Sequence, residues 1–277
     1  MTAPRLALVG HLEHIALGRV ARLPGAGEIA HLEAVRELPG GGGGIAVFQM
    51  RRGPGEVHAF TALGNDDAAA FVRERAGQAG IVLHAAVRST PHTRDVVLLT
   101  ADGERTIVVV GQPLHPRRTD PLPWETLRGF DAVYFTAEDP DALAAARAAR
   151  VLVVTARRRH VLAAAKLRAD VVVGSALDPR ERSTLADYPV APGALVMTEG
   201  ARGGYVETAS GTFRFPPGHP PAAIACSYGA GDSFAGALTA YLGAGLTLVE
   251  ACARAAEHGA AVLKGPDPLT AQTPLVY

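Results

Sequence analysis

Residues Gly229-Ala230-Gly231-Asp232 place two glycines and a carboxylate in one turn, and the run Ser233-Phe234-Ala235-Gly236-Ala237 that follows reads as helix. A glycine turn that opens a helix aims several backbone N–H groups at one point, and the helix dipole adds positive potential there. Such a turn is an anion site. A carboxylate beside a bound anion is repelled by it, so its presence suggests that it takes a proton from the group that attacks the anion. The chemistry indicated is phosphoryl transfer to an alcohol, with Asp232 as the base, a role that contributes about 10²–10⁴-fold in rate. Glycine at 229 and 231 lets backbone approach a phosphate without a Cβ in the way. Taken alone, an acid in a first helical turn is more often a dipole partner; the two glycines and the compact apolar helix favour chemistry.

Regular elements must hold that turn. Leu6–Val9 reads as a buried opening strand, and Leu23-Pro24-Gly25-Ala26-Gly27 as a turn. Ile29–Leu38 fits a strand of a small sheet, and Pro39 with the glycine run Gly40–Gly44 leads into a helix over Ile45–Arg52. Phe60–Leu63 reads as a strand, and Asp66 or Asp67 caps a helix that runs to about Ala79. Val96–Thr100 and Thr106–Val110 flank Ala101-Asp102-Gly103-Glu104, a hairpin signal. The proline-rich stretch 113–123 is a loop.

Further on, strands are expected at Asp131–Thr136, Val151–Thr155, Val171–Gly174 and Ala194–Thr198, and helices from Asp139-Pro140, over Arg157–Leu167 and near Arg180–Ala186. Continuous apolar strands alternating with helices predict an α/β fold with a mostly parallel sheet covered on both faces. Tyr205–Glu207 and Thr212–Phe215 read as a hairpin; helices then span Gly231–Leu242 and Thr247 to about Lys264, the latter opened by a Thr247/Glu250 capping box.

Composition excludes several classes. The chain has 277 residues, 48% of them hydrophobic, with formal net charge zero, so no basic field draws it to nucleic acid or to an anionic membrane. Two cysteines, Cys226 and Cys252, lie in no metal-binding spacing. No apolar run approaches a membrane span, and the N-terminal one is broken by His11 and Glu13, which predicts a cytoplasmic protein. His11 and His14 lack a third ligand, so pocket lining or surface is the expectation and no metal site is assigned. Arg157-Arg158-Arg159-His160 reads as a solvated basic face.

Gly229–Leu238, GAGDSFAGAL, resembles the C-terminal motif of the ribokinase-like (PfkB) carbohydrate kinases, and other segments follow in that family's order. Gly40–Gly44 is similar to its N-terminal glycine segment, Gly103-Glu104-Arg105-Thr106 to a turn of its lid hairpin, Thr198-Glu199-Gly200-Ala201-Arg202-Gly203 to its nucleotide-site segment, and Gly259-Ala260-Ala261-Val262 to its C-terminal helix. The resemblance implies a ribokinase-like α/β fold as a single kinase domain over 1–277, its small β lid formed by about 12–38 and 91–111. It implies ATP with Mg²⁺ bridging the phosphates, nucleotide contacts at Thr198, Gly200, Arg202 and Gly203, and a nucleotide pocket completed near 255–265. Acceptor contacts fall at Glu13, Gly41, Gly42 and Gly43; the amides of Gly229, Ala230 and Gly231 form the anion hole, and Asp232 deprotonates a primary alcohol. Lid strands that pair between subunits imply a homodimer.

Departures from the family pattern sit at four places. Cys226-Ser227-Tyr228 replaces the usual Asp-Thr before the turn, and Ile45 stands where an Asn holds the sugar. The position of a sugar-binding Asp aligns with Ile15, Glu13 being the nearest carboxylate, and the metal-organising segment is reduced to Ser175 and Asp178. Two readings stay open: an ATP-dependent kinase for a sugar-like or nucleoside-like acceptor, and a catalytically weak or inactive relative that binds nucleotide or sugar.

Overall fold

The computed structural model describes residues 3–277. The chain opens with β1 (Leu6–Val9), every residue buried, and β2 (Glu13–Arg19), then β3 (Glu33–Gly40) runs straight into α1 (Gly41–Met50). The glycine run is therefore the first turn of the helix, not a loop before it. Glycine is a poor helix former, but a Cβ on Gly43 would strike the His11 carbonyl, so close packing decides the residue type. β4 (Val57–Leu63) leads to α2 (Asp67–Gln78), whose N-cap is Asp66, its side chain accepting from Ala69 N.

β5 (Val82–Val87), a sheet-edge strand that the sequence pattern does not announce, precedes the hairpin β6 (Arg94–Leu99) and β7 (Arg105–Val110). β8 (Ala132–Phe135) is followed by α3 (Pro140–Ala146) with Asp139 as N-cap, and β9 (Val151–Thr155) by a single 3₁₀ turn and α4 (Arg159–Ala165), which Lys166 ends in a left-handed conformation. After β10 (Val171–Ser175) no α-helix forms near 180–186, only a 3₁₀ turn at Leu185–Asp187. Asp178 accepts from Arg180 N and Thr184 N donates to Asp187, local bonds that compete with a helical ladder. β11 (Ala194–Thr198), β12 (Gly204–Thr208) and β13 (Gly211–Phe215) close the sheet, and α5 (Ala230–Gly243), α6 (Leu248–Ala261) and α7 (Pro268–Ala271) end the chain. The Thr247/Glu250 capping box is present on α6.

Among the described residues the large sheet has the order β13-β12-β11-β10-β9-β8-β1-β4-β5, parallel from β11 to β5, with β12 and β13 antiparallel at one edge. Apolar layers cover both faces. One gathers α1, α2, α5 and α6 residues such as Val47, Val72, Leu238 and Cys252; the other gathers Phe60, Trp124, Leu143 and Leu162. A second sheet of order β3-β2-β6-β7 stands against the C-terminal ends of β1 and β4, with β2 and β6 parallel and the outer pairs antiparallel. A third apolar cluster, Ile15, Leu17, Leu38, Ile45, Val97, Leu99, Cys226 and Tyr228, joins this sheet to α1 and to the segment before α5. Among the described residues no helix is long and apolar enough to cross a membrane.

Candidate active site

The segment before α5 is pinned on three sides. Tyr228, buried, accepts from Gly41 N at 3.0 Å; Ser227 N donates to the Gly103 carbonyl at 2.9 Å; Arg19 donates to the Ala225 carbonyl at 3.0 Å. The turn at Gly103 and the strand β2 are thus clasped to the chain that delivers the N-terminus of α5. Gly229 caps that helix with φ 80, and Ser233 N makes the first helical bond, to the Gly229 carbonyl, at 2.8 Å. Helix geometry leaves the amides just before Ser233 without carbonyls one turn earlier. Gly231 is exposed, and a Cβ on it would meet nothing within 4 Å, so this end of α5 borders free space.

At Gly229 the backbone conformation itself selects glycine. An added Cβ would lie 2.9 Å from Pro268 Cβ and 3.0 Å from Ile45 Cγ2, in a region of φ that L side chains rarely adopt. Gly229→Ala is expected to cost about 1–3 kcal/mol, read as a fall of several degrees in Tm by calorimetry. It should also lower activity more than the lost stability explains, because the amides shift with the cap.

Asp232 is half-buried in the first turn of α5 and faces α1: a Cβ on Gly42 would sit 3.1 Å from its Oδ1. Burial, then the charge of Glu181, push its pKa up to about 6, against the pull of Arg157 and Arg105. Arg105 begins β7, so the second sheet delivers a cation toward the base. Gly41, at φ +74, lies against Glu13, whose Oε2 is 2.5 Å from the place of a Cβ, and Gly43 lies against His11 and Thr136. Gly41, Gly42, Glu13 and Asp232 therefore share one cleft. Ile15 does not enter it. Its side chain is fully buried with Leu38, Ile45 and Tyr228, while Glu13, the nearest carboxylate, lies against Gly41. The alternation of a strand sends neighbours to opposite faces, so an alignment offset of two residues would preserve the face, and only the packing reveals which residue reaches the cleft.

The segment carrying Thr198, Gly200, Arg202 and Gly203 forms a separate group. Glu199 N donates to the Gly203 carbonyl at 2.7 Å, closing a turn in which Gly200 and Gly203 have φ +60 and +80. Arg202 is exposed and lies 3.6 Å from Glu199. None of these side chains touches Asp232. The link between the groups is β10: Ser175 pairs with Thr198, and Ser175 N donates to Glu181 Oε2 at 2.8 Å. Glu181 lies beyond Asp178, where the motif-based expectation stops. Its signal is the spacing to Arg157, whose guanidinium binds Asp178 and Glu181, each at 2.6 Å.

The basic run is solvated only in part, with Arg157 and His160 exposed. Arg158 is largely buried, donates to the Thr136 carbonyl at 2.8 Å and pairs with Glu138. His160 is exposed and also pairs with Glu138. His11 lines the cleft, 3.3 Å from Thr136 Oγ1 and edge-on to His115 with ring centroids 5.1 Å apart; burial and the charges of His115 and Arg158 hold its pKa well below the usual histidine value. His14 instead packs edge-on against Phe71. Among the described residues no group of three or more His, Cys, Asp or Glu could hold a metal. Cys226 and Cys252 are free and buried.

A mostly parallel sheet thus brings a helix N-terminus and a carboxyl of raised pKa to the glycine-rich first turn of α1. The profile of the pfkB family carbohydrate kinases matches residues 3–189 and, in an overlapping second stretch, 169–273, and the chain belongs to that family. No curated protein matches the sequence. Solved structures share the fold at low identity. The ribokinase of Arabidopsis thaliana complexed with ribose and ATP has a TM-score of 0.78 at 18% identity, covering 99% of this chain and 96% of that one. The Thermotoga maritima ribokinase gives 0.79 at 17%, covering 98% and 96%. The Methanocaldococcus jannaschii nucleoside kinase gives 0.74 at 13%, covering 98% and 95%.

Proposed function

We propose that the protein transfers the terminal phosphoryl group of ATP to a primary hydroxyl of a small sugar-like or nucleoside-like acceptor. The observation that carries this reading is Asp232, a carboxyl poised near pH 6 at the open N-terminus of a 14-residue helix, across the cleft from Gly42. Asp232 accepts the proton of the attacking hydroxyl, and the amides of Gly229, Ala230 and Gly231 stabilise the charge that develops on the migrating group. Glu13 and residues 41–43 hold the acceptor; the turn at 198–203 and α6, whose Gly259 packs against Ala230, border the nucleotide. The donor set does not form a protein cage for Mg²⁺, since Arg157 engages both Asp178 and Glu181. An ion held by the nucleotide phosphates would fit these residues and would supply charge neutralisation there.

The sheet of β2, β3, β6 and β7 acts as the lid of a single kinase domain. Ile107, Val108, Val109 and Val110 of its edge strand β7 are all exposed, which supports pairing with a second copy. Zero net charge supports an enzyme that is not drawn to nucleic acid or to an anionic membrane surface.

Incubation with Mg-ATP and a panel of sugars, nucleosides and vitamins should release ADP with at least one acceptor. Nucleotide binding without turnover on the whole panel would instead support a binding module. Ile45, buried where a sugar-holding amide is usual in the family, is the feature that keeps that second reading in view. Arg105→Met tests the lid's part. Loss of a cation facing the transferred charge should lower kcat about 10–100-fold with the fold unchanged by circular dichroism, and should move the rising limb of the pH–rate profile upward, since Arg105 lowers the pKa of Asp232.

A further inference from the structure

Glu13 on β2 and Asp95 on β6 are both buried, on neighbouring parallel strands whose register sets Asp95 opposite Ile15, two residues beyond Glu13 on the same face. Oδ1 of Asp95 is buried without a partner. Burial, and then the charge of Asp95, push Glu13 well above the usual carboxylate range, with Asp232 adding to the effect and Arg158 opposing it; burial also raises Asp95. No arginine or lysine pairs with either acid among the described residues. The imidazole nearest Glu13 is His11, 3.9 Å away and held neutral, and Arg158 is committed to Thr136 and Glu138.

Two buried acids without a cation are costly, and replacement of such a pair by apolar or singly charged groups is ordinarily tolerated or stabilising. A purely structural pair would be expected in the interior of the sheet. This one borders the cleft, with Glu13 Oε2 against Gly41 while Asp232 Oδ1 lies against the adjacent Gly42.

We infer that the acceptor carries a protonated amine, seated on the Glu13–Asp95 pair while its primary hydroxyl faces Asp232. The inference rests on the phosphoryl-transfer reading for the hydroxyl end of the acceptor and names its class: a small amino sugar or amino polyol. An ammonium group offers three donors, one of them to the unpartnered Asp95 Oδ1, and a positive charge where no arginine or lysine stands. A neutral polyol offers donors but leaves the pair's charge uncompensated.

The test is titration calorimetry of the whole protein at pH 7 with matched ligands, D-glucosamine against D-glucose and 1-amino-1-deoxy-D-fructose against D-fructose. ADP formation is followed in parallel. In at least one pair the amine should bind about tenfold or more tightly than its hydroxyl twin, and this ratio should fall toward one in both Asp95→Asn and Glu13→Gln. Because the readout is a ratio, a variant that merely loosens the fold lowers both affinities and leaves it unchanged. Equal or tighter binding of the hydroxyl twins in both pairs, no binding of either amine, or a preference that survives both substitutions overturns the inference. Turnover of neutral polyols without an amine preference removes the amine seat and leaves the kinase reading intact. An amine preference that depends on the pair but comes with no ADP formation removes the kinase reading and leaves the seat.

Discussion

Asp232→Asn should lower kcat by about 10²–10⁴-fold while the protein binds nucleotide and unfolds cooperatively. The base is active when deprotonated, so the wild-type rate should rise with pH through about 6, the pKa to which burial and Glu181 bring this carboxyl. In the variant that limb should vanish. Stability should move the other way. The folded protein holds the Asp232 proton more tightly than the unfolded chain does, so the wild type loses stability relative to Asn as pH climbs from about 4 through about 6. Above that range the isosteric amide should be more stable by on the order of 2–3 kcal/mol, and below pH 4 the two should melt together. Thermal melts at pH 3.5 and pH 8 measure this. Retention of the wild-type rate, or equal melting temperatures at pH 8, would sink the assignment of a desolvated base.

Gly42→Ala should separate activity from stability. Gly42 lies in the first turn of α1 without a positive φ, so alanine fits the backbone there and would be expected to gain about 0.5–1 kcal/mol of helix propensity. Its Cβ, however, would stand 3.1 Å from Asp232 Oδ1, in the gap an incoming hydroxyl must use. Displacement of the reacting oxygen by about an ångström costs on the order of 10²-fold. We therefore expect kcat/KM to drop about 100-fold with Tm held or raised. Gly41→Ala provides the contrast. There φ is +74 and the Cβ collides with Glu13, so stability and activity should fall together. An active Gly42→Ala protein would mean that the acceptor does not pass between α1 and Asp232.

Much of the site was legible because its chemistry is local. The turn at 229–232 carries its own amides, glycines and acid within four residues, and the hairpin around Asp102-Gly103 and the capping box at Thr247 are equally short-range. Glu181, Arg158 and Arg105 were not legible as site residues, since each reaches the cleft from a different strand or turn and reads locally as an ordinary surface charge. Gly40–Gly44 misled in the opposite sense. Local propensity makes five glycines a loop, yet the structure winds four of them into helix, and at Gly41 and Gly43 it is Glu13 and His11 that approach too closely for a Cβ.

By itself, the sequence determined the strand–helix alternation that builds the parallel sheet, the family, and the glycine bend that opens the N-terminus of α5, all properties of neighbours along the chain. Only the tertiary structure decided which carboxylates share a cleft, that Ile15 is packed away from it beside Glu13, and that Glu13 and Asp95 are both buried without a cation. The reason is that desolvation and Coulomb interactions depend on distance in space. Residues 13, 95, 181 and 232 come within range of one another only after β2, β6, β10 and α5 have packed.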